Sequence, residues 1–291
     1  MRGMGMVVLL VPMLFLCRED AGGAESPAGL PGCVWWLDAA SLAGDGVAVA
    51  EWSDRSGHVG PAAQTDENRR PVSVRETPEA LPVARFDGDD FLSVPLTRDW
   101  SGTDWTVFAV ASLDADTPAG YRGIVGNRFG AGNGAWWSLG THGDGSLYLE
   151  LAAGVGVKTG FSPATSLRCV YTVVKQGQQF SLYRNGVAMG TAAYGNVGGV
   201  SNELRIGMWF GEGQEWRGTV GEIILCDGAA AAPERERAED SLARKWGVLF
   251  PQRALVRAAT WPETMLASRN ALRGLAQTME AAWHEASYAA G

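Results

Sequence analysis

Short apolar runs separated by turn-forming residues fill the middle of the chain. A run of this length bounded by Gly, Pro, Asn or Asp predicts a β-strand. The predicted strands cover residues 33–39, 83–86, 91–94, 105–113, 123–126, 136–139 and 147–151. Residues 105–113 are apolar at nearly every position, so this strand is predicted to lie inside a sheet with both faces buried.

Two turn sequences predict β-hairpins. THGDG at residues 141–145 and Asn185-Gly186 both separate apolar runs. The residues at these turns accept the positive φ angles that a tight hairpin turn requires. Each pair of flanking strands is therefore predicted to be antiparallel.

After a predicted strand at 220–226 the apolar period changes to that of a helix. Pro233 suits the first helical turn, and Ala238, Leu242 and Trp246 recur every four residues. Gly247 follows as a C-terminal stop. The pattern predicts one short helix directly after the last strand.

The two ends of the chain differ from its centre. Arg2, an apolar stretch at 6–16 and Gly22-Gly23-Ala24 are typical of a secretory signal over residues 1–24. The apolar stretch is shorter than the roughly 20 residues that a membrane-spanning helix needs. We expect the signal to be removed, no membrane span to remain, and the protein to be secreted, periplasmic or at the cell surface.

Residues 251–291 predict a helical tail outside the main domain, which covers residues 25–250. A capping box at Thr260 and Glu263 starts this tail. Its apolar positions follow heptad-like spacing: Met265, Leu272, Leu275 and Met279. We expect that face to dock on the main domain or on a protein partner.

Composition and charge narrow the class of protein further. The chain of 291 residues contains 39 glycines, 13 prolines and 12 tryptophans, which suits short strands joined by tight turns. The formal net charge is −8 and no run of basic residues occurs. A nucleic-acid partner is therefore not expected.

An ordered set of segments resembles a known family. The set is VWWLDA at 34–39, EWSDRSG at 51–57, ARFDGDDFLSV at 84–94, SLYRNGV at 181–187, and GEIILCD at 221–227 before a helix ending in ARKWGV. It resembles laminin G-like domains of the concanavalin A-like lectin and glucanase superfamily over residues 33–250. The resemblance implies an all-β, two-sheet antiparallel jelly-roll sandwich whose first and last strands are adjacent. Ligands in this superfamily usually meet a concave sheet or rim loops.

The resemblance also implies a disulfide and a metal site. Because the first and last strands pair in the family topology, a Cys33–Cys226 disulfide is expected, with Cys169 as a buried free thiol. Such domains often hold calcium at a rim, and Asp87 and Asp90 are the candidate ligands. The alternative for these two aspartates is a solvated turn without an ion.

The segment EWSDRSG at 51–57 also has a structural and a ligand-binding interpretation. Here Trp52 is predicted to pack in the core, while Asp54 shapes a turn with Ser56 and Gly57. A ligand-binding role for Asp54 is the alternative.

Catalytic motifs are missing from the sequence. Glucanases of the superfamily carry a Glu-x-Asp-x-Glu strand that aligns two carboxylates, and this chain has none. Glu150 stands alone in LYLEL, and neither Gly-x-Ser-x-Gly nor His-Glu-x-x-His occurs. We expect a protein that is not an enzyme. A glycosidase with carboxylates assembled from different strands is a weaker alternative.

Aromatic residues beside two glycine-rich loops suggest sugar binding. Exposed indole faces stack on sugar rings, and amide or guanidinium groups supply directional hydrogen bonds. The candidate ligand-binding residues are Trp136, Trp137, Trp209, Trp216, Asn127, Arg128 and Asn133. The alternative for these residues is core packing and turn formation.

The expected function is binding of a carbohydrate or glycoconjugate, with a polysaccharide or glycoprotein as partner. A structural or adhesive surface domain that contacts proteins is the alternative. An exposed tryptophan pair in a groove favours the first hypothesis, and a flat apolar sheet or tail favours the second.

Overall fold

Two antiparallel sheets pack face to face in the structure, a computed structural model that describes residues 30–95, 103–128, 136–195 and 203–250. The predicted signal, the predicted tail and Asn133 lie outside the described residues. The described strands are β1 Cys33–Asp38, β2 Val47–Ala48, β3 Glu51–Trp52, β4 Ala62–Ala63, β5 Val72–Val74, β6 Val83–Asp87, β7 Leu92–Pro95, β8 Trp105–Leu113, β9 Arg122–Gly126, β10 Trp137–Thr141, β11 Leu147–Leu151, β12 Val155–Lys158, β13 Cys169–Gln176, β14 Gln179–Arg184, β15 Val187–Ala193, β16 Glu203–Ile206 and β17 Arg217–Asp227.

The strand orders define the two layers. Sheet A has the order β15-β14-β13-β8-β17-β6-β5-β2, and β1 also pairs with β17. Sheet B has the order β12-β11-β10-β9-β16-β7-β4-β3. Within the described residues, short 3-10 turns occur at Ala39–Ser41, Glu67–Arg69 and Ala152–Gly154. The predicted all-β, two-sheet sandwich is confirmed.

The core lies between the sheets, and β8 runs through the middle of sheet A. β8 pairs with β13 on one side and β17 on the other, and all its residues are buried. Trp105 of β8 meets Trp137 of sheet B with ring centroids 5.0 Å apart. The prediction that 105–113 is a central strand buried on both faces is confirmed.

One helix, α1 Ala232–Trp246, covers the other face of sheet A. Glu239 of α1 accepts a hydrogen bond from Thr172 of β13, at 2.9 Å. Gly247 ends the helix with a φ of 66°, in the left-handed region that favours glycine. The helix predicted after the last strand is therefore confirmed.

No described helix combines the length and the apolar character that crossing a bilayer would require.

Both predicted hairpins are present. β10 and β11 are joined by the turn at 142–146, where the His142 N–H donates to the Ser146 carbonyl at 2.8 Å. β14 and β15 are joined at Asn185-Gly186, whose φ angles are 49° and 78°. Two consecutive positive φ angles are what the predicted turn requires.

The EWSDRSG turn is held together by one carboxylate. Asp54 accepts hydrogen bonds from the backbone N–H groups of Trp36, Ser56, Val59 and Gly60 at 2.9 to 3.1 Å. Trp52 is fully buried. These contacts support the structural reading of Asp54, since its carboxylate is occupied by the fold.

Candidate functional site on the outer face of sheet B

The outer face of sheet B, which points away from sheet A, is defined by strand register. Trp137 and Leu139 of β10 belong to the core, so Ser138 and Gly140 point outwards. Direct cross-strand partners share a face. The outer face therefore carries one continuous row across the sheet: Gly156, Glu150, Ser138, Gly126, Arg205, Ser93, Ala63 and Glu51.

A loop at residues 207–216 lies against this face. The Trp209 N–H donates to the Gln214 carbonyl at 3.0 Å, and the Gly207 N–H donates to Ile124 of β9 at 3.0 Å. A Cβ at Gly123 would lie 2.2 Å from the Met208 carbonyl oxygen, so only glycine allows the loop to approach β9 this closely. The loop is thereby fixed on the sheet.

Four rings form an aromatic cluster where the loop meets the sheet: Tyr121, His142, Tyr148 and the loop residue Trp209. The Trp209 and Tyr148 rings are stacked with centroids 5.9 Å apart. His142 contacts Tyr121 at 5.1 Å and Tyr148 at 5.2 Å, both edge to face. Trp209 is almost completely buried by these contacts.

Beside the cluster, Arg128 is held by two aromatic rings and a carboxylate. Its guanidinium carbon lies 4.3 Å from the Trp136 ring centroid and 4.9 Å from that of Phe210. Its Nη1 donates to Glu150 Oε2 at 2.7 Å. We name these four residues, Arg128, Trp136, Glu150 and Phe210, the Arg128 site.

Burial and charge oppose each other at Glu150. Burial raises the pKa of Glu150 above its ordinary value, while the Arg128 charge and the nearby Trp209 indole lower it. Phe210 differs from the other rings because 48% of its surface is exposed. The Arg128 site thus offers an open aromatic ring beside a charged hydrogen-bonding pair.

All four predicted tryptophans are buried, at 9% exposure or less, which contradicts the expected exposed indole faces. Trp137 is packed against Trp105 in the core. Trp216 is fully buried, and its Nε1 donates to the Ser112 carbonyl at 2.9 Å. Trp209 is enclosed by the aromatic cluster. Indoles are the largest apolar side chains, so the core and the cluster bury them.

Trp136 and Arg128 are brought together, whereas Asn127 has a different role. Trp136 is 9% exposed and lies under the Arg128 guanidinium. Asn127 is buried, and its Oδ1 accepts the Trp137 N–H at 2.9 Å. Asn127 thereby fixes the start of β10 next to the end of β9, which corrects its assignment as a ligand-binding residue.

The two predicted metal ligands, Asp87 and Asp90, lie together with Asp89, which was not predicted as a ligand. Carboxylate oxygens of Asp87, Asp89 and Asp90 all lie within 4.8 Å of one another. Burial is the main cause that raises the pKa of Asp90 to about 7, and the charge of Asp87 adds to it. A cation would reduce the repulsion between these neighbouring carboxylates, and an all-oxygen ligand set suits calcium. The chemistry fits the predicted ion, and calcium binding stays a prediction.

Sequence reasoning missed Phe210, Tyr148 and the role of Glu150. The alternation in LYLEL already placed Tyr148 and Glu150 on the same face of β11. Phe210 directly follows Trp209, but its exposure depends on how the loop folds on Gly123. Only the first of these signals was available from local sequence.

The comparisons with known proteins show a similarity of fold alone. No protein-family model and no curated sequence matches the chain. Domain 4 of AbnA, an extracellular arabinanase from Geobacillus stearothermophilus solved with arabinotriose, is similar in structure. The TM-score is 0.55 at 15% identity, covering 72% of this chain and 98% of that domain.

Two further structures share the architecture. Trypanosoma rangeli sialidase in complex with sialic acid has a TM-score of 0.53 at 18% identity, covering 75% of this chain and 34% of the sialidase. The binding domain of Paraclostridial Mosquitocidal Protein 1 has a TM-score of 0.54 at 14% identity, covering 72% of this chain and 52% of that one. This chain thus spans about a third of the sialidase, and the common feature is the β-sandwich.

Proposed function

We propose that this protein binds a polysaccharide, or the glycan of a glycoprotein, at the Arg128 site. The observation that carries the proposal is the exposed Phe210 ring beside the Arg128–Glu150 ion pair, whose atoms are 2.7 Å apart. A sugar ring has apolar C–H faces and polar hydroxyl edges. It is therefore bound best by an aromatic ring next to directional donors and acceptors.

The comparisons support the proposal through the use of this fold in other proteins. The AbnA domain was solved with arabinotriose, and the mosquitocidal protein segment is described as a binding domain. Both share the sandwich at low sequence identity. A sandwich of this architecture thus provides a suitable scaffold for binding an extracellular glycan, which agrees with the predicted secretory signal.

We further propose that the protein does not cleave its ligand. A glycosidase needs two carboxylates about 5 to 9.5 Å apart. In the cross-strand row of the outer face, the carboxylate after Glu150 is Glu51, six strands away. At about 4.8 Å per strand, their backbones are separated by roughly 29 Å. Glu150 is also paired with Arg128, which suits binding better than nucleophilic attack.

Binding to a panel of insoluble and soluble polysaccharides tests the proposal. We expect Phe210→Ala and Arg128→Ala each to weaken binding about tenfold, the effect of removing one stacking or charged contact. Leu167→Ala is the matched control, because Leu167 is 53% exposed and belongs to no part of the site. Equal binding by all variants would contradict the proposed site. Release of reducing ends would contradict the non-catalytic reading.

A further inference from the structure

The described cations on the outer face of sheet B are engaged by groups of the protein itself. Arg128 is paired with Glu150 at 2.7 Å. Lys158, the direct cross-strand partner of Tyr148, is paired with Asp144 at 2.6 Å. Among the described residues that flank the Arg128 site, positive charge is therefore matched by negative charge.

The arginines further along the row are likewise bound by groups of the protein. Arg205, the cross-strand partner of Gly126, lies 2.7 Å from Glu203. Arg122 of β9 donates to the Glu215 carbonyl oxygen at 2.9 Å. Nη1 of Arg205 also donates to Met208 Sδ at 2.7 Å, so both guanidinium groups have donors directed at acceptors of the protein itself.

Recognition of an acidic sugar depends on a different arrangement. A carboxylate of a uronic or sialic acid is bound by a guanidinium whose paired N–H donors are directed at the ligand. At the Arg128 site the nearest donor, Nη1 of Arg128, already binds Glu150, and that carboxylate would repel a second anion. The formal net charge of −8 adds a weak repulsion of anions at longer range.

The Arg128–Glu150 pair itself suits hydroxyl groups. The Arg128 side chain is 24% exposed and that of Glu150 is 9% exposed. A hydroxyl both donates and accepts, so it can donate to the Glu150 carboxylate and accept from the Arg128 guanidinium at the same time. A ligand carboxylate only accepts, so it has no favourable contact to offer Glu150.

We propose that the glycan bound at the Arg128 site is uncharged, so that neutral sugars are selected over uronic or sialic acids. This inference rests on the proposed function and names the ligand class of the same site. Glu150 is the specificity-determining residue, because it neutralises Arg128 and excludes anions.

Matched ligand pairs that differ only in charge test this inference. The probes are polygalacturonate against its methyl-esterified form, and sialyllactose against the methyl ester of its sialic acid, at low ionic strength where charge effects are largest. We expect the wild-type protein to bind the neutral member of a pair at least about tenfold more tightly. Glu150→Gln removes one negative charge and releases Arg128, so it should reduce this preference or reverse it. Glu79→Gln removes one negative charge at an exposed position outside the site and should leave the preference unchanged.

Two outcomes separate this inference from the proposed function. Tighter binding of the acidic members by the wild-type protein, weakened by Phe210→Ala, would overturn the neutral-ligand inference and keep the site. Absence of binding to neutral polysaccharides and to both members of each pair would overturn the proposed function and the inference with it.

Discussion

Cys33 and Cys226 are direct register partners at the end of the β1–β17 ladder. Directly opposite residues in an antiparallel pair have Cα atoms about 4.5 to 5.5 Å apart, which is within the range for a disulfide. Both residues are thiols in the structure, and contact with Cys33 is the first cause that raises the pKa of the Cys226 thiol. The strand pairing behind the predicted disulfide is confirmed, and the bond itself stays a prediction.

We expect protein exported to an oxidising compartment to contain the Cys33–Cys226 bond and one thiol, Cys169. In the chain-entropy model, closing so long a loop stabilises the fold by up to about 5 kcal/mol. Thiol titration of the unfolded exported protein, with and without reductant, measures the bond. Three reactive thiols without reductant would contradict it.

Asp54→Asn should destabilise the domain by about 2 to 3 kcal/mol. Asp54 Oδ2 accepts from the Val59 and Gly60 N–H groups, and an amide nitrogen at that position would leave both donors without an acceptor. Urea unfolding at neutral pH measures the loss. An unchanged midpoint would contradict the structural role of Asp54.

The loss of stability caused by Asp54→Asn should depend on pH. Burial alone would raise the pKa of Asp54, but the hydrogen bonds that it accepts lower it below the ordinary 3.8. The contribution of the Asp54 carboxylate to the free energy of unfolding is therefore complete above pH 3.8. It is lost as the pH falls through the lower pKa of the folded state. We expect the stability gap between wild type and Asp54→Asn to narrow in that acidic range, and a constant gap would contradict this account.

Trp216→Phe separates a core role from a ligand role. The substitution removes the hydrogen bond to Ser112 and some core volume, so we expect a loss of about 2 kcal/mol in the free energy of unfolding. The dissociation constant for polysaccharide should not change. Weaker binding at unchanged stability would restore Trp216 as a ligand contact.

Glu222 links the helix to sheet A through hydrogen bonds. This buried carboxylate accepts from Trp36 Nε1 at 2.7 Å, Trp246 Nε1 at 2.6 Å and Lys245 Nζ at 2.8 Å. Glu222→Ala leaves two buried indole donors unpaired and should cost about 3 to 5 kcal/mol in unfolding experiments. Glu79→Ala, at an exposed position, is the control and should be neutral. Similar unfolding midpoints for both variants would contradict the role of Glu222.

Calcium should raise the thermal midpoint by a few degrees through the cluster of Asp87, Asp89 and Asp90. The ion would offset the repulsion among three neighbouring carboxylates. Asp90→Asn should remove the response to calcium while leaving the fold intact, because its Oδ atom still accepts the Asp87 N–H. Identical midpoints in calcium and in chelator would contradict the predicted ion.

Local pattern was sufficient for much of the fold. β8 and β11 have the predicted bounds, because apolar runs and turn residues mark both strands in the sequence itself. The hairpin at Asn185-Gly186 followed from backbone conformation alone. The sandwich and the β1–β17 pairing are long-range features, and here the resemblance to a family supplied what local pattern does not contain.

The candidate site was predicted less well for a physical reason. Side-chain exposure depends on contacts between distant segments, as where the loop at 207–216 meets Gly123 and turns Trp209 inwards but Phe210 outwards. The sequence therefore identified the loop at 207–216 correctly, but it pointed to Trp209 where the exposed ring is Phe210. Glu150 was dismissed as a lone carboxylate, since its partner Arg128 becomes its neighbour only through the pairing of β9, β10 and β11.

A crystal structure of the protein with the tightest neutral oligosaccharide from the binding panel tests the central claim most directly. We predict a sugar ring stacked on Phe210, within about 4.5 Å of its carbons, and a hydroxyl bonded to Arg128 or Glu150. A ligand bound on the helix-covered face of sheet A, or at a rim without contact to Phe210 and Arg128, would contradict the account.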